Sequence, residues 1–244
     1  MTNATAEIAP GRKTEAKTLA AQVYEKLRED IVAGHLEPGS KLKLEQLLSK
    51  YSVGMSPLRE ALSRLVGDML VTSQGQRGFR VAPLSLTELE DIARTRSFLE
   101  TEALSLSVQK GDEEWLETVE QSYRALAQNE EELDASNGEP PSDLVSRWEE
   151  SNRQFHAALL SACGSVWLLR LNSILNQQME RYRRLSLRHS RGHRDIAGEH
   201  YAIYKAVKDR KILKACELIE QHLDLTTEEV RRALLQNEEE AAEA

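Results

Sequence analysis

Apolar residues recur every four positions near the start of the chain, at Leu19, Val23, Leu27 and Ile31. That spacing predicts an amphipathic helix over about residues 16–33. Gly34 closes it, and Glu37-Pro38-Gly39-Ser40 reads as a turn. A shorter helix is expected from about Leu44 to Lys50, with Leu44, Leu47 and Leu48 inward. In the break Tyr51–Gly54, Gly54 supplies adaptable backbone. The third helix then opens with Ser56 as N-cap and Pro57 at the first helical position. Leu58, Leu62, Leu65 and Met69 form its apolar stripe, which leaves Arg59, Ser63 and Arg64 on other faces. From Val71 the period changes to two: VTSQGQRGFRVAP alternates apolar and polar around Gly75 and Gly78, as a two-stranded hairpin does. Three helices and a wing make residues 16–83 a winged helix-turn-helix, preceded by a tail over residues 1–15.

From Ser85 onward no strand signal appears. Thr87 is placed to cap a helix running to Lys110, which Gly111-Asp112 break. Further helices are expected at about 113–133, 142–163, 165–190, 195–209 and 211–236, separated by DASNGEPPSD, by Cys163-Gly164 and by a polar stretch around Gly192. The fold class is therefore mainly α: an N-terminal winged helix-turn-helix followed by an all-α antiparallel bundle over residues 84–236, with an acidic tail at 237–244.

Charge sharpens this division. Residues 1–85 hold 12 Lys and Arg against 9 Asp and Glu, whereas residues 86–244 hold 20 against 31. The net charge of −8 thus belongs to the second part, and the first is free to face an anionic partner. Cys163 and Cys216 are too few for a disulfide framework and lack zinc-finger spacing, which fits a cytoplasmic protein. The N-terminus lacks the apolar segment of a signal peptide. No apolar run approaches the roughly 18 residues that span a bilayer.

The segment PGSKLKLEQLLSKYSVGMSPLREALSRLVGDMLVTSQGQRGFRVAP resembles the winged helix-turn-helix of the GntR family of bacterial transcription regulators. The later segments DIARTRSFLETEA, NRQFHAALLSACGS, GEHYAIYKAVKDR and ELIEQHL resemble the all-helical ligand-binding FCD domain of its FadR subfamily. The resemblance spans about residues 16–232. It implies a homodimeric regulator, a repressor or an activator, that binds double-stranded operator DNA and releases it when a small metabolite enters the helical domain. MSPLREALSRL and FHAALLSACGS are most similar to regulators of glutarate and related dicarboxylate catabolism, which suggests a small carboxylate effector.

Reading bases requires side chains on the N-terminal half of a helix laid in the major groove. Ser56 and Arg59 occupy that half: Arg59 could hold a guanine with two hydrogen bonds or be a solvated helix charge, and Ser56 could reach a phosphate or base. Arg64, further along, suits a phosphate contact or a pair with an acid. Lys41 and Lys43 are placed for the DNA backbone, and Arg77 with Gly78 for the wing tip, where the family reaches the minor groove. Met55 and Gln46 stand where the family usually has arginine, so the operator differs from the family's usual word.

Three histidines carry a second candidate chemistry. Asn152 and His156, four apart, share a helix face. His200 and His222 flank the turn Lys208–Lys211, at roughly 15 and 18 Å along their helices at about 1.5 Å per residue, so an antiparallel pair holds them at similar height. With His156 from a third helix, three imidazoles meet in the interior. They could bind a divalent ion of the zinc or nickel type, touch the effector directly, or be ordinary hydrogen-bonded residues. The resemblance matches them to the metal-binding subset of the family, with Asn152 where aspartate is usual. Arg96 is a candidate clamp for an effector carboxylate, or a partner of Glu100 on its own helix. In the arginine-rich run RYRRLSLRHSRGHR, Arg181 and Tyr182 are the members expected to face inward. The competing reading is a metal-dependent enzyme built on the three histidines.

Overall fold

A computed structural model describes residues 18–73, 75, 78–136, 140–189 and 194–243. The tail 1–15, Arg77, and the stretch around Gly192 lie outside them. The described chain forms α1 (Leu19–Val32), β1 (Lys41–Leu42), α2 (Leu44–Tyr51), α3 (Met55–Gly67), β2 (Val71–Ser73), β3 (Phe79–Val81), α4 (Leu86–Lys110), α5 (Glu113–Ala135), α6 (Ser142–Leu160), α7 (Val166–His189), α8 (Ile196–Lys208) and α9 (Ile212–Glu243).

The first three helices and the sheet share one core, in which Leu27, Leu58, Leu62 and Leu65 are fully buried. Thr18 opens α1 by accepting from the Ala21 amide at 3.2 Å, and Gly34 follows its end in the left-handed region. The buried face of α1 runs Ala20, Val23, Tyr24, Leu27, Ile31, not through Leu19, which is half exposed. A strict four-residue spacing drifts off a 3.6-residue face, so the stripe passes to Ala20 at the helix start.

Two details at α3 differ from expectation. The left-handed residue between α2 and α3 is Ser52 (φ 53°), and Gly54 is extended (φ −80°, ψ 170°) and caps α3 itself, with no side-chain cap bond. The helix therefore begins at Met55. Ser56 becomes its second residue rather than its cap. Pro57 falls at the third position, still within the first turn, where a missing N–H costs no helical bond. Met69 leaves the apolar stripe because the chain has already turned, with φ 58°, and its side chain is exposed.

The wing is three-stranded. β3 pairs antiparallel with β2 (Val71 opposite Val81) and, on its other edge, with β1 (Lys41 opposite Arg80). Two residues carry too little alternation to announce β1 in the sequence.

The helical domain packs around Trp115, Phe155, Leu159, Ile203, Ala215 and Ile219. Ser85, not Thr87, caps α4, accepting from the Glu88 amide at 3.2 Å. Asp112 does the same for α5. α9 runs on to Glu243, through most of the segment read as an acidic tail, because the sequence there contains no breaker. A smaller apolar cluster of Leu89, Ile92, Met179, Tyr182, Val230 and Leu234 joins α4, α7 and α9. No helix among the described residues is long and apolar enough to cross a membrane.

Candidate functional site

The N-terminal half of α3 is presented to solvent. Met55, Ser56 and Arg59 are exposed, and Leu58 between them is buried and anchors the helix. Lys41, Lys43 and Gln46 are exposed too, and Gly78 takes φ 91° in the wing. Among the described residues Arg64 pairs with no acid; its guanidinium lies 4.1 Å from the ring centre of Tyr24, whose hydroxyl donates to Asp68 at 2.7 Å.

In the helical domain the structure brings His156 (α6), His200 (α8) and His222 (α9) together. Their candidate ligand atoms lie within 4.8 Å of one another, and all three side chains are buried. The His200 and His222 ring centres are 4.6 Å apart, because α8 and α9 pack antiparallel about the tight turn at Arg210 (φ 56°). Asn152 lies one turn before His156 on α6, also buried, and lines the same cavity.

Each imidazole is held from behind by a carboxylate. His156 Nδ1 is 3.3 Å from Glu100, His200 Nδ1 is 2.6 Å from Glu130, and His222 Nδ1 is 2.8 Å from Glu199. At His156 and His200 a carboxylate at Nδ1 fixes ring orientation and tautomer and leaves Nε2 as the remaining donor atom, the arrangement of metal-ligating histidines; at His222 the shorter contact at Nδ1 is Glu199, with Arg194 Nη2 also at 3.2 Å. His200 Nε2 is buried without a hydrogen-bond partner, which a protein interior rarely tolerates. Burial disfavours the imidazolium form of His156, outweighing the opposing pull of Glu100, and that of His222 strongly, where His200, His156 and Arg194 add to the effect. Neutral imidazole is the form a metal binds.

Three guanidinium groups complete the wall. Arg96 donates to Glu100 at 2.9 and 2.6 Å from its own helix. Arg183 donates to Glu149 through Nε at 3.3 Å and Nη2 at 2.7 Å. Arg194 bonds Glu199, and also Glu229 at 3.2 Å and Thr226 at 3.0 Å. Burial alone would push the Glu100 carboxyl up, but Arg96 and then His156 outweigh it and hold it at about 2. The three guanidinium groups are interleaved with the carboxylates of Glu100, Glu149, Glu199 and Glu229, and Glu130 stands behind His200; burial pushes the Glu149 carboxyl up, against the opposing pull of Arg183. The cavity has a volume of about 30 Å³, room for an ion or one to two waters at the roughly 10–15 Å³ a water needs, so a larger ligand enters only where the lining side chains give way.

Residues 19–81 match the bacterial regulatory proteins of the gntR family, and residues 91–225 match the FCD domain. This chain is a member of the GntR family. It is 42% identical over 227 residues, 93% of its length and 91% of the relative's, to the uncharacterized HTH-type transcriptional regulator BphR of Paraburkholderia xenovorans (strain LB400). It is 36% identical over 204 residues, 82% of its length and 90% of the relative's, to the HTH-type transcriptional repressor GlaR of Escherichia coli (strain K12). Its fold is shared with E. coli McbR/YncC, at a TM-score of 0.70, 20% identity, and coverage of 89% of this chain and 99% of that one. The GntR-family protein described here is thus a DNA-binding transcription regulator with an FCD domain, not an enzyme.

Several residues of this regulator's cavity escape sequence reasoning. Arg183 and Arg194, rather than Arg181 and Tyr182, line it. Arg181 and Tyr182 are buried elsewhere: Arg181 bonds the Ala82 carbonyl of the winged domain, and Tyr182 donates to Glu88 at the start of α4 at 2.6 Å. The four carboxylates that brace Arg183 and the histidines come from four different helices. Only Glu199, beside His200 in the sequence, and Glu100, four after Arg96, carry a local signal.

Proposed function

We propose that the regulator is a homodimeric repressor that leaves its operator when a small carboxylate, of the glutarate type, occupies the histidine cavity together with a divalent metal ion. The observation that carries this reading is the unpartnered, buried His200 Nε2 among three imidazoles that are each braced by a carboxylate. His156, His200 and His222 would hold the ion, with the Asn152 amide as an additional oxygen donor. When bound, the ion supplies a Lewis-acidic position for an anionic oxygen. Its charge also offsets the carboxylates that stand behind the three histidines, which repel an entering anion. Arg96 and Arg183 offer planar forks for a second carboxylate, at the expense of their present glutamate partners.

The likeness to a relative described as a repressor supports the direction of regulation. On the DNA side, Ser56 and Arg59 would read bases in the major groove, Lys41 and Lys43 would meet phosphates, and Arg77 and Gly78 would lie at the minor groove. With Met55 and Gln46 uncharged at neighbouring positions, Arg59 carries most of the charged base contact. Arg59→Ala is therefore expected to weaken operator binding by about 1–3 kcal/mol. A gel-shift titration with unchanged affinity excludes that assignment.

The effector reading is tested by thermal shift against C4–C6 mono- and dicarboxylates, with and without Zn²⁺. A dicarboxylate at about 100 times its Kd is expected to add about 2.7 kcal/mol, with a Tm rise of about 5–11 °C for a chain of this size. It should do so only with metal present, and should release operator DNA at the same concentrations. Stabilisation by non-carboxylate compounds alone removes the carboxylate from the proposal.

A further inference from the structure

One turn of α7 touches both domains of this regulator with different faces. Gln178 donates through Nε2 to the backbone carbonyl of Asp68 at 2.6 Å. Asp68 is the C-cap of α3, its amide bonded to the Arg64 carbonyl, and its carboxylate holds the Tyr24 hydroxyl under Arg64. The Gln178 amide cannot turn round: its Oε1 accepts from Arg181 Nη1 at 3.1 Å, which leaves Nε2 to donate. Arg181 also grips the Ala82 carbonyl at the end of β3, and Tyr182 accepts from the Ser85 amide at 3.3 Å while donating to Glu88. Positions 178, 181 and 182 share one face at i, i+3 and i+4. Arg183 follows Tyr182 directly, about 100° further round the helix, and points to the cavity, where it pairs with Glu149.

We infer that Gln178, with Arg181 and Tyr182, is a positioning residue for DNA reading: it couples the end of the reading helix to the state of the Arg183–Glu149 pair in the cavity. The juxtaposition is rigid. All four α7 side chains are buried, so a turn of α7 that shifts when Arg183 changes partner cannot leave Gln178 and Arg181 where they were. Because Gln178 holds α3 by a backbone carbonyl at its last turn, a small displacement there tilts the exposed N-terminal half that carries Ser56 and Arg59. The coupling rests on the cavity being the effector site, since it is an entering carboxylate that would take Arg183 from Glu149.

The test is a double-mutant cycle on the full chain, read as affinity for a DNA duplex that this protein selects from a random-sequence pool. Glu149→Gln removes the charged partner of Arg183 with little change of shape. Gln178→Met keeps volume and removes the donor. Glu149→Gln is expected to change DNA affinity at least fivefold in the wild-type background and less than twofold beside Gln178→Met. Equal changes in both backgrounds, or none in either, overturn the coupling, whereas a purely structural role of Gln178 gives additive effects. Gln178→Ala, which also removes the donor to Asp68, serves as a second background should Gln178→Met not fold. In a parallel arm, Zn²⁺ with glutarate is titrated into the wild type and Gln178→Met. Equal uptake by both with DNA release only in the wild type supports the coupling; release by both overturns it. No uptake by the wild type refutes the effector reading and leaves the cycle to decide the coupling by itself.

Discussion

His200→Ala is expected to abolish metal uptake while leaving DNA binding intact. His200 is the most enclosed of the three imidazoles, contacts both others, and its Nε2 is fully buried without a partner among the described residues. Loss of a partner behind a ligand typically costs about 10–100-fold in metal affinity, so loss of the ligand itself should cost at least about 100-fold. Glu130→Gln, which weakens only the brace on His200 Nδ1, should fall within that 10–100-fold range. Isothermal titration with Zn²⁺ and elemental analysis of the purified proteins measure both changes. Among the described residues His200 has no hydrogen bond to the Arg183–Glu149 pair through which α7 would signal to α3, and the winged domain has its own core, so operator affinity without effector should stay within about twofold. Wild-type metal content in His200→Ala would remove the three-histidine site from the account, and unaltered content in Glu130→Gln would remove the role of the brace.

The second large effect is on stability. Arg96→Ala should destabilise the helical domain by about 3–5 kcal/mol, the usual loss when one member of a buried ion pair is removed. Glu100 is fully buried, and the guanidinium at 2.6 Å is the chief reason its carboxyl stays ionised. What remains to it in the variant is His156 at 3.3 Å and Asn176 at 3.5 Å. Urea unfolding followed by circular dichroism reads the change, and a loss below 1 kcal/mol contradicts it. Arg96→Met combined with Glu100→Leu removes both charges and should recover most of that stability, yet it leaves His156 Nδ1 without its carboxylate. A protein that is stable but binds metal poorly would separate what this pair does for the fold from what it does for the cavity.

The contrast between α3 and the cavity shows what each level of description contains. At α3, the leucines 58, 62 and 65, the proline in the first turn and the exposed Ser56 and Arg59 are all local facts, and the helix and its outer face follow from them. Its start was misplaced by two residues because extended Gly54 serves as cap at a cost of only about a few tenths of a kcal/mol relative to serine, and a glycine cap leaves no side-chain signature. Arg181 and Arg183 are a harder case. They are two apart on one helix, both arginine and both buried. Which of them meets the cavity depends on the rotation of α7 about its axis. That rotation is set by Met179 and Tyr182 docking among Leu89, Ile92 and Val230, residues about ninety positions earlier and fifty later in the chain.

The sequence by itself determined the helices and the β2–β3 hairpin in their order, the separation of a mildly basic winged module from an acidic helical one, the face of α3 that meets solvent, and the three histidines. These follow from periodicity, capping and charge, which act over one or two helical turns. Only the tertiary structure decided that Glu100, Glu130 and Glu199 stand behind those histidines, that Arg183 and Arg194 wall the cavity, and that Gln178 reaches the end of α3. Each of these is a contact between side chains on different helices. It depends on helix rotation and crossing, which are fixed jointly by the packed core and not by any local stretch of residues.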